Sequence, residues 1–344
     1  MGKYREKIGK HLFGGVIFLR ICLVGDFSEN RDEGLKNIAH YLAGELSKYH
    51  DVMRFNVNRF FSPKSLISLK KFKPQIIHYI PGPTIKSFLI TKTLGKYCEA
   101  KTVMSAPQPR ISTIFNRLIY LIRPNLILVQ SKKSESMFKS FGIQTDFLPN
   151  GVDIQKFIPV SQDTKIKLRY KYRIEPDKFT ILHVGHLMAR RNLEVFKNMK
   201  NQDNQILIVA SEYLRFDNKI YKKLKDIGCI IFGGYYDNIE EIYALADCYI
   251  FPVKRGYTIL TPLSVMEAMA CNLPVITTKF EGLTAFFDEG KGLIFVENEG
   301  DLLIKLEELK VDSPEIRNRE KVLPYSWDNI TMKLIKIYEE VLNY

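Results

Sequence analysis

The 344-residue chain lacks the marks of several large protein classes. It has five cysteines, at 22, 98, 229, 248 and 271, most of them inside apolar runs and none in a paired metal-ligand spacing. That argues against a disulfide scaffold or a zinc ribbon and fits reduced core thiols of a cytosolic protein. No apolar run approaches the roughly 18 residues a membrane-spanning helix needs. Residues 12–19 form a short apolar run after Lys3, Arg5, Lys7 and Lys10, which mimics a signal sequence. The run is short and flows into Arg20 without a small-residue cleavage site, so residues 1–19 are read as a non-catalytic basic and apolar extension. No G-x-G-x-x-G opens a helix after a strand, which leaves hydride chemistry unsupported. There is no internal repeat and no low-complexity tract. Carboxylates are scarce in one half only: residues 1–150 carry 24 Lys+Arg against 10 Asp+Glu, whereas residues 151–344 carry 27 against 28. An asymmetry of that size points to an anionic partner: a membrane surface, a phosphorylated lipid or nucleic acid. No nucleic-acid motif accompanies the charge, so a membrane surface or an anionic acceptor is the expectation. A lysine-rich surface that merely aids solubility is the alternative.

What the chain does contain is a regular alternation of short apolar runs with helical patterns. Strands are expected at 20–24, 51–57, 75–80, 102–106 and 126–130, with helices at 35–49, 63–72, 86–97 and 131–141 between and after them. The segment 147–159, FLPNGVDIQKFIP, breaks the pattern with an Asn-Gly turn and stiffening prolines, which marks a domain boundary in mid-chain. The alternation then restarts. Strands are expected at 179–184, 205–210, 229–232, 248–253, 274–278 and 292–296, with helices from 193, at 239–246 and at 302–309. A last helix, capped by Ser326 and carrying Trp327, runs to residue 342. The fold class is α/β, with domains at 20–158 and 159–326.

The stretch 246–278 organises the second half. A buried strand leads through a loop to a helix with Thr261 as N-cap and Pro262 at its first position, and a second strand follows. Leu263, Val265, Met266, Ala268, Met269, Ala270 and Cys271 cover nearly all of the helix. Only Ser264 and Glu267 are polar, three apart and so on one edge. A carboxylate in such surroundings needs donors, which two vicinal hydroxyls of a sugar would supply. The other reading has Glu267 pointing into solvent.

These residues resemble the signature of the retaining glycosyltransferases of family 4, the group 1 glycosyl transferases, roughly E-G-F-G-x-x-x-x-E-A-M-A-x-G-x-P-V. The resemblance extends to PNGVDIQKF at 149–157, to GHLMARRN at 185–192, to the helix 239–246 and to the closing segment from 324. It implies the GT-B fold, two Rossmann-like domains facing across a cleft, with the helix 327–344 crossing back to complete the first. It also implies a metal-independent transferase whose second domain binds a nucleotide sugar, either a UDP- or a GDP-sugar, and no D-x-D motif contradicts this. No other cofactor is expected. The acceptor is expected to be a glycan or an anionic, lipid-linked molecule. The location implied is the cytoplasm, at the inner face of a membrane that the basic first domain contacts peripherally.

Carried over residue by residue, the resemblance implies that Glu267 holds the donor ribose. Arg191, with Arg190 or His186, would neutralise the diphosphate beside the backbone after Gly185, where a helix N-terminus suits anions. Gly282 and Leu283 would offer amides from a loop, and Thr258 and Ser264 complete the donor side. Gly34, His78 and Arg110 are candidates for the acceptor or phosphate side. For His78 a satisfied core histidine is the other reading, and for Gly34 a tight turn. Ile259, Ile80 and Pro107 stand where relatives place polar site residues. That departure motivates a second expectation, an inactive binding or scaffold protein on the same fold. A nucleotide-sugar epimerase is a third.

Overall fold

The computed structural model describes residues 18–29, 33–60, 62–106, 116–211, 217–254, 261–312 and 315–343. The sequence-predicted residues Arg110, Pro107, Thr258 and Ile259, and most of the N-terminal extension, lie outside them. The chain separates into two compact units, one ending at Pro149 and completed from Trp327 onward, the other Asn150–Ser326. The boundary falls inside the Pro-Asn-Gly turn, ahead of the position after residue 158 expected from sequence.

The first unit is a six-stranded parallel sheet in the order β2-β1-β3-β4-β5-β6. Its strands are β1 (Arg20–Gly25), β2 (Asp51–Asn56), β3 (Ile76–Tyr79), β4 (Lys101–Ser105), β5 (Leu126–Val129) and β6 (Thr145–Phe147). β1, β3 and β5 are nearly or wholly buried along their length, as continuous apolar runs require in a sheet covered on both faces. The helix Ile85–Cys98 is opened by a reciprocal pair: Ser87 N–H donates to the Thr84 hydroxyl, and Thr84 N–H to the Ser87 hydroxyl. The C-terminal helix Trp327–Asn343 packs against helix Gly34–Leu46, and Trp327 stacks on Tyr41 with ring centroids 5.1 Å apart. Trp327 is therefore a structural anchor.

The second unit is a parallel sheet in the order β12-β11-β10-β7-β8-β9. Its strands are β7 (Phe179–Gly185), β8 (Asn204–Ala210), β9 (Ile230–Gly233), β10 (Cys248–Phe251), β11 (Val275–Thr278) and β12 (Leu293–Val296). The pairing of Cys248 with Ile181 and Tyr249 with Leu182 sets the end of β10, which leads to the signature helix, beside the end of β7, where the predicted anion loop after Gly185 begins. Arg319 fastens the boundary segment to the rest of the unit: its guanidinium donates to the carbonyls of Ile154, Phe157 and Ala270 at 2.7–2.8 Å.

Three local expectations are corrected and one helix is added. The signature helix is Leu263–Ala270, and Thr261 is not its cap. The Thr261 hydroxyl donates instead to the Gly282 carbonyl at 2.9 Å, and Asn150 Nδ2 donates to the Thr261 carbonyl at 2.8 Å. The helix expected from residue 193 is a 3-10 segment, Leu193–Asn198. Leu193 and Phe196, followed by Met199, stand three positions apart on one buried face, and Val195 is buried beside them. The loop at 281–283 is the start of a short helix, Glu281–Thr284. Helix Gln162–Lys171 was missed because its letters alternate and show no apolar stripe. It is held by Arg169, whose buried guanidinium donates to the Leu245 carbonyl and pairs with Asp247.

Candidate functional site

The phenol of Tyr249, on β10, lies among three of the predicted residues of the second unit, Ser264, Arg191 and Glu267. It donates to the Val184 carbonyl at 3.2 Å and is in hydrogen-bonding contact with Ser264. Arg191 and Glu267 both lie close enough to act on its charge. Three residues spread over 76 positions of sequence are thus brought to one place by two adjacent strands and one helix. Tyr249 itself was not singled out by the sequence, where it reads as one letter of a buried strand.

Arg191 ends a 3-10 turn, Ala189–Arg191, after which Asn192 adopts φ 54°. That left-handed conformation favours Gly or Asn and explains why Asn is tolerated where relatives carry Gly. The guanidinium lies 4.7 Å from the centroid of the Phe251 ring, itself stacked with His183 and Tyr249. Its Nε and Nη1 are buried and meet no acceptor among the described residues. Burial lowers its pKa to about 10. A charged group with two buried and unmet donors is costly unless an anion completes it. Arg190 is adjacent, and its carbonyl accepts from Lys254 N–H at 3.1 Å. His186 follows Gly185 at the same turn and is half-buried.

His183 is a member of this group that sequence reasoning missed. Its Nδ1 lies 2.9 Å from the Ile250 carbonyl and so carries the proton. The other ring nitrogen, Nε2, is buried with no hydrogen-bond partner among the described residues. A Cβ placed on Gly185 would come 3.4 Å from that nitrogen and 4.0 Å from the Arg191 guanidinium carbon. Glycine therefore leaves the space beside both groups open. Burial holds the imidazole at a pKa of about 3, with Arg191 contributing in the same direction, so the ring is neutral and Nε2 is an acceptor. The signal available in sequence was a lone histidine inside the apolar strand FTILHVG.

Glu267 does not point freely into solvent. Its Oε2 accepts from the Tyr243 hydroxyl at 2.7 Å. Burial raises its pKa to about 7, opposed by the Tyr243 bond and by Lys156. The carboxyl therefore sits near its midpoint at neutral pH, with hydrogen-bonding capacity beyond the single phenol. Gly282 and Leu283 are buried at the first turn of helix Glu281–Thr284, tied to the signature helix by Thr261.

The first-unit candidates fare differently. His78 is fully buried, its Nδ1 2.6 Å from the Tyr338 hydroxyl and its Nε2 2.8 Å from the Ser105 hydroxyl. Burial holds its pKa at about 3. It is a satisfied core histidine that links β3, β4 and the C-terminal helix, and the acceptor-side expectation is corrected. Ile80, where relatives carry a histidine, is 1% exposed and belongs to the same core. Gly34 opens helix Gly34–Leu46, where the Glu33 carboxylate already accepts from Lys36 N–H at 3.1 Å.

Residues 178–311 match the family model described as glycosyl transferases group 1. The chain is 22% identical over 175 residues to the alpha-galactosylglucosyldiacylglycerol synthase of Streptococcus pneumoniae, a match covering 48% of this chain and 45% of that protein. It is 25% identical over 305 residues to the sulfoquinovosyl transferase SQD2 of Arabidopsis thaliana, covering 79% of this chain and 58% of the relative. The matches thus span about half the length of these two relatives. Anabaena HepE, solved in complex with UDP and glucose, superposes with a TM-score of 0.75 at 14% identity, over 94% of this chain and all of that one. That likeness shows the fold: two Rossmann-like parallel α/β units of the GT-B type.

Proposed function

We propose that this chain, a relative of the group 1 glycosyl transferases with their GT-B fold, moves a sugar from a nucleotide sugar to an acceptor hydroxyl. The observation that carries the reading is the pairing, around Tyr249, of a guanidinium with unmet buried donors and a carboxyl suited to vicinal hydroxyls. Those two groups match the two ends of a nucleoside diphosphate, the phosphates and the ribose. Arg191, assisted by Arg190 or His186 and by backbone amides after Gly185 and at Gly282, would hold the diphosphate and stabilise the charge it gains on departure. Glu267 would fix the ribose, with Ser264 beside it.

In this scheme the bond between the sugar's anomeric carbon and the diphosphate oxygen breaks. The acceptor oxygen bonds to the same face of that carbon, and a departing phosphate oxygen takes the acceptor's proton. The configuration is retained and no metal takes part. UDP is the favoured nucleotide, since HepE was solved with it. A lipid-linked or anionic acceptor suits the basic first unit, and the pneumococcal relative's name describes a glycosylated diacylglycerol. The reading places the protein on the cytoplasmic side, in peripheral contact with the membrane through that unit. No described helix is long and apolar enough to cross a membrane.

One observation favours a second reading. The apolar, buried Ile80 leaves β3 without the polar group relatives have there, as an inactive binding protein on this fold would. Calorimetry with UDP, GDP, ADP and their sugar conjugates, with EDTA present, separates the two when paired with a turnover assay. The expected result is that one nucleotide binds, that Arg191→Ala and Glu267→Ala each weaken it tenfold or more, and that its sugar conjugate is consumed only with acceptor. Binding without turnover of any donor would support the second reading. No binding by the wild type would overturn the first.

A further inference from the structure

The fold sorts the cations of the first unit onto one face, which neither the composition nor the site requires. In a parallel sheet of order β2-β1-β3-β4-β5-β6, the connections β2 to β3, β3 to β4, β4 to β5 and β5 to β6 all advance in one direction. Right-handed crossovers then lay their helices, Pro63–Phe72, Ile85–Cys98, Asn116–Ile122 and Lys132–Ser140, on the same side. The first three pack in succession. The connection β1 to β2 runs the other way, so helix Gly34–Leu46 covers the opposite face with its partner Trp327–Asn343.

The two faces differ in charge. The four-helix face carries ten Lys and Arg against a single carboxylate, Glu135. The opposite pair of helices carries three Lys against four carboxylates. Large apolar side chains stand in solvent among the cations: Leu121 is 69% exposed, Tyr120 54%, Ile67 53% and Leu89 45%. On helix Ile85–Cys98 the exposed positions Lys86, Leu89, Thr93 and Lys96 follow the three-and-four spacing of one helical stripe. A recess of about 520 Å³ opens where this helix nears Arg123, lined by Lys92, Lys96, Lys101 and Arg123 with Glu99 at its edge. Arg123 lies 3.9 Å from the Tyr120 ring centroid.

We infer that this face docks on an anionic lipid bilayer, Leu118, Tyr120 and Leu121 entering the headgroup boundary while the surrounding lysines and arginines meet lipid phosphates. Cations alone would suit any polyanion. Exposed leucines set among them suit a bilayer, which rewards apolar burial and anion pairing together. Nucleic acid offers nothing to Leu118 or Leu121. The inference deepens the membrane contact proposed above by naming its surface, and it stands whether or not the chain transfers a sugar.

The test uses the full chain and co-sedimentation with vesicles of phosphatidylcholine, with and without phosphatidylglycerol, at two salt concentrations. The wild type is expected to partition onto the anionic vesicles and to weaken at high salt. Each basic residue near such a surface strengthens binding about fivefold, so Lys86→Glu with Lys96→Glu should weaken it more than twentyfold. Leu121→Glu should reduce it tenfold or more even at low salt, whereas Lys336→Glu on the opposite face should have little effect. Nucleotide binding measured on the same variants should be unchanged, which shows that they fold and keeps this outcome separate from that of the donor site. No partition, partition unaffected by these variants, or tighter binding to a DNA duplex than to anionic vesicles would each overturn the inference.

Discussion

At the scale of single residues, what the chain can do rests on groups held in unusual environments. Arg191 stays cationic while its Nε and Nη1 meet no acceptor among the described residues, His183 is neutral with an Nε2 that meets no partner among them, and Glu267 titrates near neutral pH. The last has a consequence for stability. A carboxyl whose folded pKa is raised from 4.5 to about 7 contributes stability that is fully present below pH 4.5 and is lost as pH rises through 7. A tenfold change in proton affinity is worth about 1.4 kcal/mol, so the loss by pH 8 is on the order of 1–3 kcal/mol. Glu267→Gln keeps an acceptor for Tyr243 but does not titrate. Its unfolding free energy should exceed that of the wild type by about that amount at pH 8, and the gap should shrink to below about 1 kcal/mol at pH 5. Thermal denaturation at the two pH values checks this, and a difference independent of pH would contradict it. Glu267 was legible in the sequence because it interrupts an otherwise apolar helix. Its partner Tyr243 was not, since a tyrosine in a buried helix has no local mark of what its hydroxyl will meet.

Among the elements, the boundary segment 150–159 and the signature helix act as one piece. Asn150 holds the carbonyl of Thr261, and Arg319 spans from Ile154 and Phe157 to Ala270 at the helix's end. The Asn-Gly turn announced this segment in sequence as a boundary. That it is bolted to the helix carrying Glu267 came from an arginine more than 150 positions away. Arg319→Ala would leave three partly buried carbonyls without donors, a loss of about 2–4 kcal/mol at roughly 1 kcal/mol for each. A chemical-denaturation series should show that loss, with nucleotide affinity falling as the helix loosens. Arg319→Lys, which cannot span three acceptors with one ammonium, should recover only part. An unchanged denaturation midpoint in the alanine variant would refute the clamp. The missed helix Gln162–Lys171 teaches the same lesson, because a buried guanidinium rather than an apolar stripe attaches it.

At the scale of the whole molecule, three buried imidazoles among the described residues set the acid limit. Burial lowers the pKa of His50 to about 4 and of His78 and His183 to about 3. A histidine with a depressed pKa contributes stability that is full above about 6.5 and is lost as pH falls toward the folded value. Unfolding near pH 4.5 should therefore take up about three protons at these residues, beyond what the carboxylates release or bind. Calorimetric unfolding in buffers of different ionisation heat measures the uptake, and His78→Phe and His183→Phe should each reduce it by about one. No reduction in either variant would refute the assignment. Charge is likewise a property of the whole: counting letters located the basic excess in the first half of the chain, and the crossovers decided that it lies on one face.

The sequence by itself determined the α/β alternation, the turn that begins the second unit, the burial of the signature helix and the candidate positions 186, 190, 191 and 267. The first three follow from periodicity, turn chemistry and local spacing, which act between near neighbours along the chain; Glu267 stands out as the carboxylate of an apolar helix, and positions 186, 190 and 191 come from the resemblance to the group 1 glycosyl transferases. Only the tertiary structure decided that His78 is a core residue bonded to Tyr338, 260 positions away, that Tyr249 lies among Ser264, Arg191 and Glu267, and that His183 belongs with Arg191. A buried polar side chain takes its role from the partner that satisfies it, and that partner is chosen by strand order and packing, which no local pattern encodes.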